Sequence, residues 1–280
     1  MSFWYYETFE GETRYGCLVS EVVFSGASDY QKVELLDTVH YGRALVLDGV
    51  FQTSEREEHF YHEMLVQPAM VCAPRIERVL VIGGGDGGAA REILRHPQVE
   101  EVLMVEIDAV VVEACKEHLP GMGAWDDPRL ELIIGDGIGF VRETDRGPFD
   151  AIFVDGCDPV GPAVDLFGSE FYDDCARILA NDGVCAFQTE SPILQRDVFT
   201  GIYRRLSGAF PRVHPYFGPA PLYASDLWSW TLASRNVDHL SMREDRLATV
   251  EPGCKYYNRD IHRAAFAVPS YLKADLDAGG

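Results

Sequence analysis

The sequence predicts an α/β protein, with a small antiparallel β domain ahead of a larger domain built on a parallel sheet. Two observations carry this prediction. From residue 78 onward, apolar strand segments alternate with helical segments, which is typical of parallel strands joined by helical crossovers. Residues 1–54 instead contain short segments rich in Val, Leu, Tyr and Phe, which favour strands. We therefore expect a β-hairpin domain over 1–54 and an α/β domain over 55–280.

The first domain is expected to contain strands over 15–24, 30–38 and 42–53. Asp48 and Gly49 interrupt the last of these segments, and an Asp-Gly pair between apolar residues is a strong signal for a two-residue hairpin. The acid-rich stretch 54–58 then predicts the start of a helix, because acids are favourable at the positive end of the helix dipole. Pro68 is expected to bend or end that helix.

The most informative stretch is the glycine-rich turn over 83–88. It follows an apolar run over 79–82, which predicts a strand buried on both faces, and it precedes a predicted helix over 89–94. The next apolar run ends at Glu106, where an acid can accept hydrogen bonds from both hydroxyls of a ribose. Glycine turns also occur for packing alone, but the complete unit favours a nucleoside-binding half-site.

The same turn narrows the class of ligand. No Lys-Ser or Lys-Thr pair follows the glycines, so the stretch is not a P-loop. Asp86 also places a carboxylate where a pyrophosphate would have to lie. The turn therefore favours a nucleoside that carries a cationic tail.

The rest of the chain continues the alternation of strands and helices. Helices are predicted over 110–118, 171–179 and 197–206, and strands over 130–134, 149–154 and 184–187. The late segments 213–217 and 228–233 are expected to form an antiparallel pair of strands.

Acids fall at the ends of four predicted strands, at Asp86, Glu106, Asp136 and Asp155. The carboxyl ends of parallel strands form one edge of an open sheet, where ligands bind. A single acid at such a place is as easily a helix cap, but four together favour a binding site. Asp155 and Asp158 flank a turn that the following prolines stiffen, and paired carboxylates of this kind could hold ammonium groups and accept a proton.

Composition excludes some classes of function. With 45 acids against 24 bases, the net charge of −21 argues against binding nucleic acid, although it would attract a polycationic substrate or simply favour solubility. The seven cysteines are scattered without zinc spacing and are expected to be reduced and buried, so no metal site is predicted. No apolar run approaches the length of a membrane span and the first residues lack the basic start of a signal peptide, so we expect a cytoplasmic protein.

Several motifs together resemble the aminopropyltransferases of polyamine synthesis, the spermidine synthase family, over nearly the whole chain. The motifs are Tyr30-Gln31, Leu45 to Val50 with Gln52, Tyr61-His62-Glu63-Met64, Val79 to Gly88, Val105 to Asp108, Gly135-Asp136-Gly137, Asp155 to Ala163, and Tyr256-Tyr257-Asn258 with His262 to Phe266. The resemblance implies a small N-terminal β domain on a Rossmann-like sheet of the class I methyltransferase type, usually dimeric or tetrameric. It also implies transfer of the aminopropyl group of decarboxylated S-adenosylmethionine to putrescine or a related amine, with release of methylthioadenosine.

The resemblance also assigns roles to particular residues. Asp155 would be the general base, helped by Tyr61, and Asp86 would hold the amine of the aminopropyl group. The nucleoside would be bound by Gln31, Gly83, Gly85, Glu106, Asp136, Gly137 and Pro162. The amine channel would be lined by Trp4, His62, Asp158, Gln188 and Tyr223, together with Asp86 and Asp155. No cofactor or metal is expected beyond the nucleoside co-substrate, because a sulfonium is already a good leaving group.

One departure from the family pattern bears on the acceptor amine. Many members have a Tyr-Pro-Ser-Gly type of loop, whereas this chain has Tyr223-Ala224-Ser225-Asp226. One hypothesis is that Asp226 holds a further cationic group, which would favour a longer amine such as agmatine or spermidine. An exposed turn acid is the simpler interpretation. An S-adenosylmethionine-dependent methyltransferase would share the sheet and Glu106 but has no reason to carry Asp86. A binding protein that lost catalysis would not need to keep Asp155 and Tyr61.

Overall fold

The structure is a computed structural model, which describes residues 2–9, 13–157 and 161–277. For residues 161–163 and 277 it describes the backbone only. The first part is an antiparallel sheet of five strands in sequential order. Its strands are β1 (Phe3–Phe9), β2 (Thr13–Ala27), β3 (Lys32–Thr38), β4 (Gly42–Leu47) and β5 (Val50–Ser54). Asp48 and Gly49 both have positive φ, 48° and 91°, which is the conformation of a type I′ turn, so the predicted hairpin is confirmed.

A second sheet of seven strands forms the centre of the protein, in the order β11-β12-β10-β9-β6-β7-β8. Its strands are β6 (Arg78–Gly83), β7 (Glu101–Glu106), β8 (Leu130–Ile134), β9 (Phe149–Asp155), β10 (Leu179–Gln188), β11 (Arg212–Pro219) and β12 (Leu227–Ser234). Strands β6 to β10 pair in parallel, whereas β11 and β12 form the predicted antiparallel pair at one edge. The predicted fold class is confirmed: a Rossmann-like α/β sheet follows a small antiparallel one.

Helices cover both faces of the large sheet. They are α1 (Glu58–Cys72), α2 (Gly88–Leu94), α3 (Ala109–His118), α4 (Gly137–Glu143), α5 (Ser169–Ile178), α6 (Arg196–Ala209), α7 (Glu244–Val250), α8 (Arg259–Ala265) and α9 (Ser270–Asp277). One apolar cluster joins α1, α2, α7 and α8 to one face of the sheet, and a second joins α4, α5 and α6 to the other. Within the described residues, no helix combines the length and apolar character that crossing a bilayer requires.

The structure differs from the expected elements in a few places. Helix α1 continues past Pro68 to Cys72, because nearly every residue of its second half is buried and tertiary packing stabilises the helix despite the missing amide. Strand β1 and helices α4, α7, α8 and α9 were not predicted. The last three are short or carry weakly periodic apolar residues, so their sequence signal is faint.

Candidate active site

Four acids converge at the carboxyl edge of the large sheet. Asp155 is the last residue of β9 and Glu106 is the last residue of β7, while Asp86 lies in the turn after β6 and Asp136 follows β8. Two adjoining cavities open along this edge. Asp86, Glu106 and Asp155 line the first cavity, and Glu106, Asp136 and Asp155 line the second. The parallel sheet therefore brings together side chains that are far apart in the sequence, as expected for a ligand site.

The glycine turn packs directly against Asp155. Gly83 has a φ of 80°, and a Cβ atom there would lie 2.3 Å from the carbonyl oxygen of Asp155. Gly84 has a φ of 73°, and its amide donates a 2.9 Å hydrogen bond to that same oxygen. Glycine is therefore required both for the backbone conformation and for the close approach. The turn and Asp155 are held as one unit.

Tyr61 on α1 is hydrogen-bonded to Asp155. Its hydroxyl donates to Oδ1 of Asp155 over 2.8 Å, and both residues line the first cavity. Burial and the neighbouring carboxylate of Asp86 raise the pKa of Asp155 to about 6, although His62 and the hydrogen bond from Tyr61 act in the opposite direction. Asp155 is therefore a carboxylate at neutral pH with an unusually high affinity for a proton, which suits a general base.

His62 lies between two acids on the other side of the cavity. Its Nε2 is 3.3 Å from Oδ2 of Asp86, and its Nδ1 is 2.8 Å from Oε2 of Glu58. Burial disfavours the charged imidazole, but Asp86 and Glu58 outweigh this and raise the pKa of His62 well above its ordinary value. Glu58 also accepts from Arg91 over 2.7 Å, and together with His62 this overcomes the cost of burial and lowers the pKa of Glu58 to about 2.

The second cavity holds the residues expected to bind a nucleoside. Gly83, Glu106, Asp136, Gly137 and Gln31 all line it, and Gly85 lines the adjoining first cavity. The amide of Asp108 donates a 2.8 Å hydrogen bond to Oε1 of Glu106, which fixes that carboxyl at the strand end. Burial raises the pKa of Glu106 to about 7. Gln31 donates to Asp108 over 2.9 Å, so the N-terminal sheet is tied to this edge.

Only part of the expected amine channel is brought together. Gln188 and Tyr223 line the first cavity with His62. The amide nitrogen of Gln188 donates to the carbonyl oxygen of Gly156 over 3.1 Å, and the hydroxyl of Tyr223 donates to the carbonyl oxygen of Gln52 over 2.7 Å. Asp158 and the side chain of Pro162 lie outside the described residues.

Trp4 and Asp226 do not line either cavity. Trp4 is 58% exposed and stacks on Tyr6, because residues of a strand alternate between faces and Trp4 lies on the outer face of β1. Asp226 is exposed in the turn before β12, where its φ of 55° belongs to the left-handed region. The motif alone could not reveal which way these two side chains point.

Sequence reasoning missed three acids near the site, Glu7, Glu58 and Glu190. Glu7 lines the first cavity from β1 and accepts a 3.0 Å hydrogen bond from the amide of Phe51. Glu190 is fully buried behind Gln188 and accepts from its amide over 2.9 Å. The sequence did contain a signal for Glu7. It lies two residues from both Tyr5 and Phe9, so in a strand it shares their face.

His62, Asp86 and Asp155 are also close enough to be tested as a metal site, since one ligand atom of each lies within 4.8 Å of the others. A metal ion needs a free lone pair on an imidazole nitrogen. Both nitrogens of His62 face carboxylate oxygens, so the protonated ring offers none. The cluster is therefore unsuited to a metal while His62 carries its charge.

The fold and the two cavities define a class of protein: a Rossmann-like α/β protein with two adjoining cavities, both lined by acids, at the carboxyl edge of its sheet. Comparisons with known proteins agree. Residues 58–245 match the family model for the spermine/spermidine synthase domain, and residues 3–55 match that for the spermidine synthase tetramerisation domain. The chain belongs to the spermine/spermidine synthase family and is a polyamine aminopropyltransferase, so the resemblance noted in the sequence is confirmed.

Individual relatives are similar over their whole length. The polyamine aminopropyltransferase of Caldicellulosiruptor bescii is 40% identical over 274 residues, which cover 98% of each chain. That of Methanocaldococcus jannaschii is also 40% identical, over 96% of this chain and 94% of its own. The crystal structure of the Thermotoga maritima spermidine synthase superposes with a TM-score of 0.92 at 36% identity, over 98% of this chain and 94% of that one. A spermidine synthase in complex with the transition state analogue AdoDATO gives a TM-score of 0.95 at 36% identity, over 99% of this chain and 95% of that one.

Proposed function

We propose that this enzyme transfers the aminopropyl group of decarboxylated S-adenosylmethionine to putrescine, giving spermidine and methylthioadenosine. The observation that carries the proposal is the pairing of Tyr61 with Asp155, 2.8 Å apart, in a cavity that also contains the carboxylate of Asp86. Glu106 and Asp136, at the adjoining cavity, would bind the ribose and the adenine. Asp86 would bind the ammonium of the aminopropyl group. Intact S-adenosylmethionine carries a carboxylate on the carbon next to this ammonium, and Asp86 would repel that carboxylate.

The role of Asp155 follows from the charge of the acceptor. An alkyl ammonium has a pKa of about 10.4, like that of Lys, so it reaches the site protonated and has no lone pair for attack. Asp155 accepts one proton, and the freed amine forms a carbon–nitrogen bond as the carbon–sulfur bond breaks and the sulfonium becomes a neutral thioether. The remaining work of the protein is to align the amine in line with carbon and sulfur and to exclude water.

Putrescine is proposed over a longer amine because Asp226, the residue that suggested agmatine or spermidine, does not line the cavity. Glu7, Ser191 and Trp228 are among the residues that line the first cavity. Glu7 would face the distal ammonium of a short diamine.

We also propose that the chain acts as a homodimer or homotetramer. The proposal is supported by the match of residues 3–55 to a tetramerisation domain and by the exposed aromatic side chains of Trp4 and Tyr6 on the outer face of β1. Light scattering coupled to size exclusion tests it directly, and a monomer at micromolar concentration would contradict it.

The function is tested by following methylthioadenosine release with decarboxylated S-adenosylmethionine and a panel of amines, in wild type, Asp155→Asn and Asp86→Asn. Release with putrescine that falls at least about a hundredfold in Asp155→Asn is expected, because general base catalysis contributes about 10²–10⁴. In Asp86→Asn the KM for the donor should rise while the affinity for methylthioadenosine, which lacks the amine, stays the same. Release only with agmatine or spermidine would reassign the acceptor, and release with none would refute the proposal.

A further inference from the structure

A chain of charged groups leads from the cavity along the contact between α1 and α2. It begins at Asp86, passes through His62 and Glu58, and ends at Arg91. Oε2 of Glu58 accepts both from His62 over 2.8 Å and from Arg91 over 2.7 Å. His62 is 1% exposed and Glu58 is 8% exposed, and Glu58 does not line the first cavity. Glu58 therefore makes its contact with the cavity wall through His62.

The geometry fixes the protonation of the His62 ring. A neutral imidazole has one N–H donor and one lone pair, so a neutral ring would turn its lone pair toward one of the two carboxylates. With a proton on each nitrogen, the ring donates to Glu58 over 2.8 Å and forms an ion pair with Asp86 over 3.3 Å. Charge-assisted hydrogen bonds of this kind are stronger than hydrogen bonds between neutral groups.

Asp86 is in turn held from two sides. The amide of Gly88 donates a 2.8 Å hydrogen bond to its Oδ1, and His62 lies at its Oδ2. Gly88 packs so closely on the His62 ring that a Cβ atom there would lie 2.2 Å from a ring carbon. The imidazole is thus clamped between α1 and α2, and the orientation of Asp86 depends on it.

We propose that Glu58 is a positioning residue, which keeps His62 protonated so that His62 holds Asp86 in the orientation that receives the ammonium group of the aminopropyl donor. This deepens the proposed function and rests on it. Arg91 contributes by fixing Glu58, and its other guanidinium nitrogen is anchored on the carbonyl oxygen of Met122 over 2.9 Å.

The charged and aromatic groups that face His62 from each neighbouring element are consistent with a protonated imidazole. On α1 these are Glu58 and the ring of Tyr61, which meets the imidazole edge to face at 5.3 Å. The turn before α2 contributes Asp86, and the end of β9 contributes Asp155, whose charge interacts with His62. Each of these acids favours the imidazolium. Removing Glu58 takes away one of these acids and leaves Arg91, a cation, paired with Glu92 alone, and both changes oppose the imidazolium.

Glu58→Gln tests the proposal, with Glu63→Gln as the matched control. Glu63 is a buried acid of the same helix, but its carboxylate accepts hydrogen bonds from the backbone amides of residues 255–257 and is not a polar partner of the His62 ring. The first readout is ¹⁵N NMR of the imidazole of His62, assigned with a His62→Asn variant. We expect His62 to stay doubly protonated from pH 6 to 8.5 in wild type and in Glu63→Gln, and to lose a proton within that range in Glu58→Gln.

The second readout is the ratio of the affinities for decarboxylated S-adenosylmethionine and methylthioadenosine, which isolates the contact of the ammonium group. The ratio should be independent of pH in wild type. In Glu58→Gln it should fall by about tenfold toward pH 8.5, the effect of one lost charge-assisted contact, because the neutral His62 ring then no longer holds Asp86 in the receiving orientation. A pH-independent ratio in Glu58→Gln, or the same change in Glu63→Gln, would overturn the proposal.

A second variant covers the case in which Glu58→Gln does not fold, and the NMR readout separates a failure of this proposal from a failure of the proposed function. If Glu58→Gln does not fold, Glu58→Asp, which keeps the charge on a side chain one methylene shorter, should show a smaller shift in both readouts, and no shift would count against the role of Glu58. The NMR readout needs no turnover. Wild-type protein that transfers no aminopropyl group would therefore refute the proposed function separately, while the titration of His62 still reports on Glu58.

Discussion

The hydroxyl of Tyr61 donates a 2.8 Å hydrogen bond to Oδ1 of Asp155, which joins the first helix to the end of the central strand β9. This bond has two opposite consequences for a base. It orients the carboxylate, and it also stabilises the charged form and so makes the carboxylate less basic. The pH dependence of turnover would separate these two effects.

Tyr61→Phe should move the acidic limb of the kcat/KM profile to higher pH. Burial holds the pKa of Asp155 at about 6 while Tyr61 lowers it, so removing the hydroxyl raises the pKa further. Because the base acts as a carboxylate, a higher pKa means that activity is lost at a higher pH as the solution is acidified. We expect about a tenfold lower rate at pH 7, from the lost orientation and the lost carboxylate fraction. Tyr203→Phe, on α6, is the control, and an unchanged limb in Tyr61→Phe would contradict the prediction.

Asp155→Asn should stabilise the enzyme that it inactivates. The folded-state pKa of Asp155 is about 6, against an ordinary value of 3.8, so its charged form disfavours the folded state as the pH rises through 6. This shift of about two units corresponds to roughly 3 kcal/mol at pH 8. We expect the Tm of the variant to exceed that of wild type by about 6 °C at pH 8 and by less at pH 5.5. An equal difference at both values would show that the charge of Asp155 is not its cause.

The sequence predicted the structure correctly where a local rule allows only one backbone conformation or one strand direction. The glycine turn over 83–88 indicated both the strand before it and the edge of the sheet where the cavities open, since Gly83 and Gly84 adopt φ values of 80° and 73° that other residues rarely do. The acids after the strands were placed correctly at one edge because parallel strands point the same way. These predictions needed no knowledge of packing.

The rest depended on which way side chains point across element boundaries. Trp4 and Glu7 both lie on β1, but only Glu7 faces the cavity, and the register of β1 against β2 decides this. Glu58 was noted as an acid at a helix start, yet its role follows from the contact of His62 with Asp86 after α1 has docked on α2. Such relations arise from tertiary packing, which periodicity does not encode.

Binding of methylthioadenosine should strengthen as the pH rises through about 7. Burial raises the pKa of Glu106 to about 7, and the charged carboxylate is the form that accepts two hydrogen bonds from ribose hydroxyls. We expect the Kd at pH 6 to exceed that at pH 8.5 by up to about tenfold, measured by calorimetry. In Glu106→Gln binding should be weaker and flat over this range. A Kd of wild type that does not change with pH would exclude Glu106 as the titrating ligand.

Gly88→Ala should destabilise the protein, whereas Gly208→Ala should not. Gly88 opens α2 directly against His62, and an added Cβ atom would lie 2.2 Å from the imidazole ring, so the helix or the ring has to move. We expect a loss of about 2–3 kcal/mol in the free energy of unfolding, the upper range for overpacking a rigid site. Gly208 lies within α6 with no atom within 4 Å of an added Cβ, so alanine there should stabilise by about 0.5–1 kcal/mol through the unfolded chain. Urea denaturation of the two variants measures both values, and equal stabilities would mean that α2 can shift away from His62 without cost.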